Sequence, residues 1–356
     1  GPHWPAVPTP SNCDSRVLAQ QANAALAANR YAEAERLCEA AARKARAENE
    51  QRRLANILNN LAAARMYQKK YREAFEALEE AGQMARRLGL REAEAVVWSN
   101  LASLYALLAA WPAAEESLVQ ALSLMPGESP YRPALLAQRL RFSLARQDTD
   151  DRTVDRLWKE AMQAAEESGD WHVQRHLWDD LAQRRLDAGD TEQAEAALAN
   201  SFRLAVLHRL RDPQSLWMFL ARLRLAQGRP EEAERWIERL LREHGADQSP
   251  VNALQLATAQ VEVALQRRGA AAALAACRRA WPEVLRWRST VLPEPAAERA
   301  ADVAMTVLAD YYASLATGRN RRDVSAEAWA VIEQSRSLGL LRMRYRHAGQ
   351  DPVPSA

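Results

Sequence analysis

The side chains of this sequence that could do chemistry are few and do not converge. His172 and His176 stand four apart in WHVQRHLW, a spacing that puts both imidazoles on one helical face and could offer two ligands to a metal. No glutamate follows the first histidine as in an H-E-x-x-H pair, and no third ligand stands nearby, so packing or surface roles are expected. Cys13, Cys38 and Cys277 are far apart and form no CxxC, which argues against both a disulfide framework and a zinc site. Cys38 falls on a large apolar position of a helical pattern and Cys277 among alanines, where a thiol packs as a small hydrophobe. No G-x-G-x-x-G, G-x-x-x-x-G-K-S or G-x-S-x-G occurs, so phosphate cradles and nucleophile elbows are absent by motif. The expectation is a non-enzymatic segment with no catalytic residue, no metal and no cofactor.

Recognition by surface is the remaining possibility, and charge narrows it. The 48 basic and 46 acidic residues leave a net charge of +2 and are intermixed, as on solvated helix faces. The eleven tryptophans could form a stacking platform for single-stranded nucleic acid, but most fall on recurring core positions. The basic run Arg319 to Arg322 is short, and direct nucleic-acid binding is not expected. Only Lys44, Lys69, Lys70 and Lys159 are lysines, a bias that reads as a GC-rich bacterial genome. No apolar run approaches the ~18 residues of a membrane span and no signal-peptide pattern occurs, so no membrane contact and a reducing cytoplasm are expected.

The elements that would position such a surface follow from composition. Alanine, leucine, arginine and glutamate dominate, only 12 glycines occur, and no stretch alternates like a half-buried strand, which predicts an all-α chain. The chain is also periodic. YREAFEALEEA aligns with RYAEAERLCEAA, WPAAEESLVQAL, TEQAEAALANSF and RPEEAERWIERL, hinged at Tyr31, Tyr71, Trp111, Thr191 and Pro230. A small residue follows each hinge by three: Ala34, Ala74, Ala114, Ala194 and Ala233. The step is about 40 residues, and the double interval between Trp111 and Thr191 leaves room for a weaker copy hinged near Asp151. Upstream of the hinges, Trp98, Trp178 and Trp217 precede Leu101-Ala102, Leu181-Ala182 and Leu220-Ala221, with Leu58 before Leu61-Ala62. A large residue with leucine at i+3 and alanine at i+4 marks one helical face, the alanine permitting close approach. Each unit therefore reads as a helix, a short turn and an antiparallel helix.

This pattern resembles the tetratricopeptide repeat, carried by Trp98, Leu101, Ala102, Tyr105, Ala114, Ala121 and Pro126. It departs in having alanine for the glycine of the Leu-Gly pair and a longer step than the usual ~34 residues, so each helix should be longer by most of a turn. The resemblance is specific for residues 15 to 245. Beyond His244 the marks blur while helical pairing continues: SPVNALQLATAQVEVALQRR and AAAALAACRRAWPEVLRW flank Gly269, and a last pair over 296–317 and 325–345 follows Pro293-Glu294-Pro295. The resemblance implies a right-handed α-α superhelix of about seven to eight hairpins with one continuous core over residues 15–348. Residues 1–14 read as a cleavage scar and linker, and residues 349–356 have linker composition.

In such a stack the first helix of each hairpin lines the concave groove. That predicts inward positions at Asn56, Asn59, Asn60, Ser99, Asn100, Ser103, His176, Asp179, Asp180, Gln183 and Arg222. Asparagine carries both a donor and an acceptor, so a row of them could hold the backbone of an extended peptide, while the groove grades from neutral amide to acidic. The segment AEAWAVIEQSRSLGLLRMRY is similar to the helix that joins repeats to the protease domain in bacterial CHAT proteins, the caspase-like "HetF associated with TPRs" family. Glu333, Arg336, Ser337, Leu340 and Leu341 carry that likeness, which departs at Gly339. It implies a protein- or peptide-binding scaffold that controls a C-terminal CHAT-type protease domain absent from this sequence. The alternative is a ligand- or peptide-sensing domain of a bacterial transcriptional or signalling regulator.

Overall fold

The computed structural model describes residues 14–146, 148–210, 214–245, 249–317 and 325–335. Residues 14–135 form one compact unit and residues 136–335 another. In the first, α1 (Ser15–Ala27), α2 (Tyr31–Ala47), α3 (Gln51–Tyr67), α4 (Tyr71–Arg87), α5 (Arg91–Leu107) and α6 (Trp111–Leu124) run as three consecutive hairpins. The boundary between the units falls within α7 (Arg132–Arg146). The second unit continues with α8 (Asp151–Ser168), α9 (Trp171–Asp187), α10 (Thr191–Leu207), α11 (Gln214–Ala226), α12 (Pro230–His244), α13 (Pro250–Arg268), α14 (Ala270–Ser289) and α15 (Pro295–Thr317). Residues 326–335 are helical too, and no strand occurs among the described residues. Cys13, the basic run 319–322 and Arg336, Ser337, Gly339, Leu340 and Leu341 lie outside the described residues.

The turns explain the period. α2, α3, α4 and α5 are each 17 residues long, three residues separate each from the next, and helices consequently begin at 31, 51, 71, 91 and 111. Every one of these turns is closed in the same way. The Lys70 N–H donates to the Arg65 carbonyl and the Lys69 N–H to the Met66 carbonyl, both at 2.9 Å, with Lys69 itself left-handed at φ 63°. This is the Schellman closure, which satisfies two of the carbonyls that a helix end leaves unpaired. It recurs with Asn29, Asn49, Gly89, Ala109, Gly169, Gly189, Arg209 and Gly228 in the left-handed position. After each of these but Arg209 the next helix begins two residues on, and in the second unit Asp170 and Asp190 reinforce that start by accepting from the Val173 and Gln193 N–H groups at 3.1 Å.

The hinge alanines are fully buried between helices. Ala34, Ala74, Ala114, Ala194 and Ala233 are all 0% exposed, and Val154 fills the equivalent place after Asp151 at 5%. Leucines fill the space beyond: Leu54, Leu58, Leu61, Leu78 and Leu104 in the first unit, and Leu198, Leu216, Leu220 and Leu223 in the second. Cys38 and Cys277 are buried in these cores, and burial pushes their thiols up to about 12 and about 11.

Successive hairpins are tied by a recurring polar bond. The fifth residue of a second helix meets a residue near the end of the next first helix: Glu35 with Arg65 at 3.3 Å, Asp155 with Arg184 at 2.8 Å, Glu195 with Arg224 at 3.1 Å. At the same place between α4 and α5, Phe75 meets the Tyr105 ring edge-on at 6.3 Å. Lys70 and Gln68 also donate to Glu35, at 2.7 and 2.8 Å.

Two stability predictions follow from the turns and the ties. Ala109→Gly should stabilise the chain by roughly 0.5–1 kcal/mol, because alanine carries a steric penalty at positive φ, and Gly189→Ala should destabilise it by a similar amount. Arg65→Met should cost about 0.5–1.5 kcal/mol by removing one of the three donors of the largely covered Glu35, Lys70 and Gln68 remaining. Urea denaturation of the three variants gives all three signs.

Candidate functional site

The predicted positions fall on two separate surfaces, one in each unit. In the first, the asparagines pair with one another. Asn60 Nδ2 donates to Asn23 Oδ1 at 2.7 Å, joining α3 to α1, and Asn100 Nδ2 donates to Asn59 Oδ1 at 2.8 Å, joining α5 to α3. Each amide therefore commits one polar atom to aligning neighbouring first helices. Asn56 is exposed. It lines, with Asn59, Arg52, Arg91 and Tyr131, a recess of about 630 Å³. Ser103 donates to the Ser99 carbonyl at 3.3 Å, within α5.

In the second unit, α9 splits its polar residues between two directions. Asp179 is held inside its own hairpin: Ser201 Oγ of α10 donates to it at 2.5 Å and Arg175 at 3.0 Å. His176 Nδ1 lies 3.9 Å from the same carboxylate. Burial lifts Asp179 to about 6 in spite of those donors. Burial first, then Arg175 and Arg141, press His176 down to about 4, so its imidazole is neutral at pH 7. Asp180, Gln183 and Asp187, at i, i+3 and i+7, share another face. With Arg141, Arg222, Glu262 and the α15 face they line a cavity of about 480 Å³.

Within that cavity Arg141 Nε meets Asp180 at 3.2 Å. Gln183 stands between two charges, its Nε2 donating to Asp187 at 2.6 Å and its Oε1 accepting from Arg222 at 2.6 Å. Burial raises the carboxyls of Asp180, Asp187 and Glu262 above their ordinary range and lowers Arg222. This is the arrangement expected of charges held in a partly dry recess.

Asp180, Gln183 and Arg222 are among the positions predicted from the repeat pattern, whereas Arg141, Asp187, Glu262 and the α15 wall are not. Asp187 could have been found by continuing the α9 stripe one turn past Gln183. Glu262 and α15 lie where the repeat marks fade. His172 stacks on Trp171, 3.6 Å between ring centroids, and His208 stacks there at 4.2 Å. Among the described residues no cluster of three or more histidine, cysteine, aspartate or glutamate side chains could hold a metal ion, and no helix is long and apolar enough to cross a membrane.

The raised carboxyl of Asp179 predicts a pH dependence with a definite sign. An acid whose folded value lies above its unfolded value of ~3.9 contributes stability at low pH that is lost as pH rises to about 6. Thermal melts between pH 4 and 7 should show that decline in the wild type and a flatter profile in Asp179→Asn.

Two tetratricopeptide-repeat families match the chain, over residues 53–126 and 180–257. The first takes in α3 to α6, and the second runs from the middle of α9 into α13. No curated protein matches the chain. Among solved structures, the tetratricopeptide-repeat domain of P58(IPK) is similar at 12% identity, covering 95% of this chain and 100% of that one with a TM-score of 0.28, a value at which superposition transfers nothing between the two. Within its all-helical fold, the chain thus carries tetratricopeptide repeats in the two matched stretches.

Proposed function

We propose that this chain is a protein-interaction scaffold whose first-helix surfaces bind a protein or peptide partner, and that it controls an associated CHAT-type protease domain outside this sequence. The observation that carries the first part is the convergence of five helices, α7, α9, α11, α13 and α15, on one cavity lined by charged and apolar side chains. Hairpin repeats bury their small-residue faces against each other and leave the first-helix faces open for recognition. The paired asparagines of the first unit fit this reading, since a backbone amide could be received by the atoms they do not use between themselves.

The protease part rests on the wording around Glu333 and on how the helical residues 326–335 are held. Glu327 accepts both Nε and Nη2 of Arg278 at 2.8 and 2.9 Å and the Tyr312 hydroxyl at 2.6 Å. Trp281 Nε1 donates to Gln334 at 2.7 Å, while Ala328 and Val331 are buried beneath. Those bonds, from Arg278 first, hold the Glu327 carboxyl down to about 2. A segment tied so firmly to α14 and α15 would pass on any rearrangement of those helices. Coupling of this kind requires a partner that prefers one arrangement over another.

The size of the cavity favours one alternative, a domain that senses a small ligand for a transcriptional or signalling regulator, since about 480 Å³ suits a small molecule. A helix-turn-helix or P-loop domain in the full-length product would favour it, and a cysteine-histidine protease domain the main reading.

The scaffold reading is tested by quantitative recovery of partners from the native host. The combined variant Asn56→Ala/Gln183→Ala/Arg222→Ala should retain its fold by circular dichroism and lose about tenfold in recovery of any specific partner. Equal recovery by variant and wild type would sink the reading.

A further inference from the structure

The recess of the first unit gathers polar groups that the fold itself does not use. Arg52, Asn56 and Asn59 line it from one face of α3, Arg91 and Val96 from α5, and Tyr131 from just ahead of α7. Val96 and Tyr131 are 37% and 57% exposed, so apolar surface stands open in the same recess as the charges.

The charged side chains of the lining are Arg52, Arg91 and Glu92, two cations against one carboxylate. Among the described residues none of the three has an opposite charge within 4.0 Å or a hydrogen-bond partner for its side chain. The neighbouring charges, by contrast, are engaged: Arg53 with Glu48 and Glu50, and Glu94 with Arg86. The amides follow the same division. Asn100 donates to the Asn59 Oδ1, while the Asn59 Nδ2 and the Asn56 side chain make no hydrogen bond among the described residues.

A ligand that completes this lining must bring an anion to the two guanidiniums, an acceptor to the free amide nitrogen and an apolar group to Val96 and the Tyr131 ring. We propose that the recess receives an extended peptide segment carrying an aspartate or glutamate next to an apolar residue. The side-chain carboxylate accepts from Arg52 and Arg91, a backbone carbonyl accepts from the Asn59 Nδ2, and the apolar side chain lies on Val96 and Tyr131. Guanidiniums donate and never accept, and their bonds to a carboxylate are charge-assisted. Glu92 offsets one of the two cations, so the positive excess that remains matches a single carboxylate and opposes a cationic segment. The inference rests on the reading of the first-helix surfaces as peptide-binding ones, and it assigns the chemistry of the segment bound in the first unit.

The test uses the whole chain and three pools of octapeptides capped at both ends, identical in their apolar flanks and fixed at the centre as glutamate, glutamine or arginine, with binding read by fluorescence anisotropy. The glutamate pool should bind about tenfold more tightly than the arginine pool, with glutamine between. Arg52→Gln and Arg91→Gln should each weaken the glutamate pool about fivefold and leave the glutamine pool unchanged, with melting temperatures checking the fold. Arg36→Gln, which removes an exposed arginine of α2 outside the recess, should leave all three pools unchanged. Equal binding of the glutamate and arginine pools, wild-type binding by both recess variants, or an equal loss in Arg36→Gln overturns the proposal. Displacement of the glutamate pool by an equal concentration of a single capped glutamate also overturns it, in favour of a small-molecule site. If the pools fail while the partner-recovery variant still loses its partner, the scaffold reading stands and only this assignment of ligand chemistry is lost.

Discussion

The structure depends on one local constraint, the left-handed residue that closes a helix. A three-residue turn with positive φ at its middle reverses the chain at fixed length, so helices of 17 residues restart every 20 from Tyr31 to Trp111. Phase follows from that step. Because each helix restarts in the same register, the same residue positions recur in successive hairpins, and alanines three beyond each hinge always arrive at a fully buried position. The turn tolerates asparagine, lysine, alanine and arginine as well as glycine because two backbone hydrogen bonds and the packing of both helices outweigh a steric cost of about 1 kcal/mol.

On that frame, polar groups do two kinds of work. Glu35 with Arg65 and Glu195 with Arg224 span neighbouring hairpins, both partners largely covered in the first pair and only the arginine in the second, and they set how one hairpin stacks on the next. The asparagine pairs Asn23 with Asn60 and Asn59 with Asn100 do the same on the first-helix side with neutral amides. Around the cavity of the second unit the pattern changes: Gln183 bridges Arg222 and Asp187, and burial raises the carboxyls of Asp187 and Glu262 while lowering Arg222. Fully paired polar groups specify structure, whereas groups whose ionisation burial opposes are common where proteins bind.

Much of the fold was legible in the sequence because its causes are local. The hinges at Tyr31, Tyr71, Trp111, Thr191 and Pro230, and the weaker one at Asp151, are the first residues of α2, α4, α6, α10, α12 and α8. The alanine marks identify the buried contacts because alanine tolerates a close helix approach that larger side chains do not. Cys38 and Cys277 could be placed in the core by the same reasoning. The recurring Glu-Arg tie was equally available in principle, since its members stand about 30 residues apart in each repeat, but charge alone does not separate a buried tie from a solvated pair.

Tertiary structure decided what the polar residues do. Asp179 and Asp180 are neighbours on one helix, yet one turns to Ser201 within the hairpin and the other to Arg141 and the cavity, a choice fixed by the 100° between successive side chains and by what packs on each side. The approach of Asp187, Arg222, Glu262 and Val307 to one cavity joins residues more than a hundred positions apart, over hairpins whose repeat marks have faded. Periodicity determines which face of a helix is buried. Only the stacking of particular helices determines which open faces confront one another, because that distance and angle belong to no single stretch of the sequence.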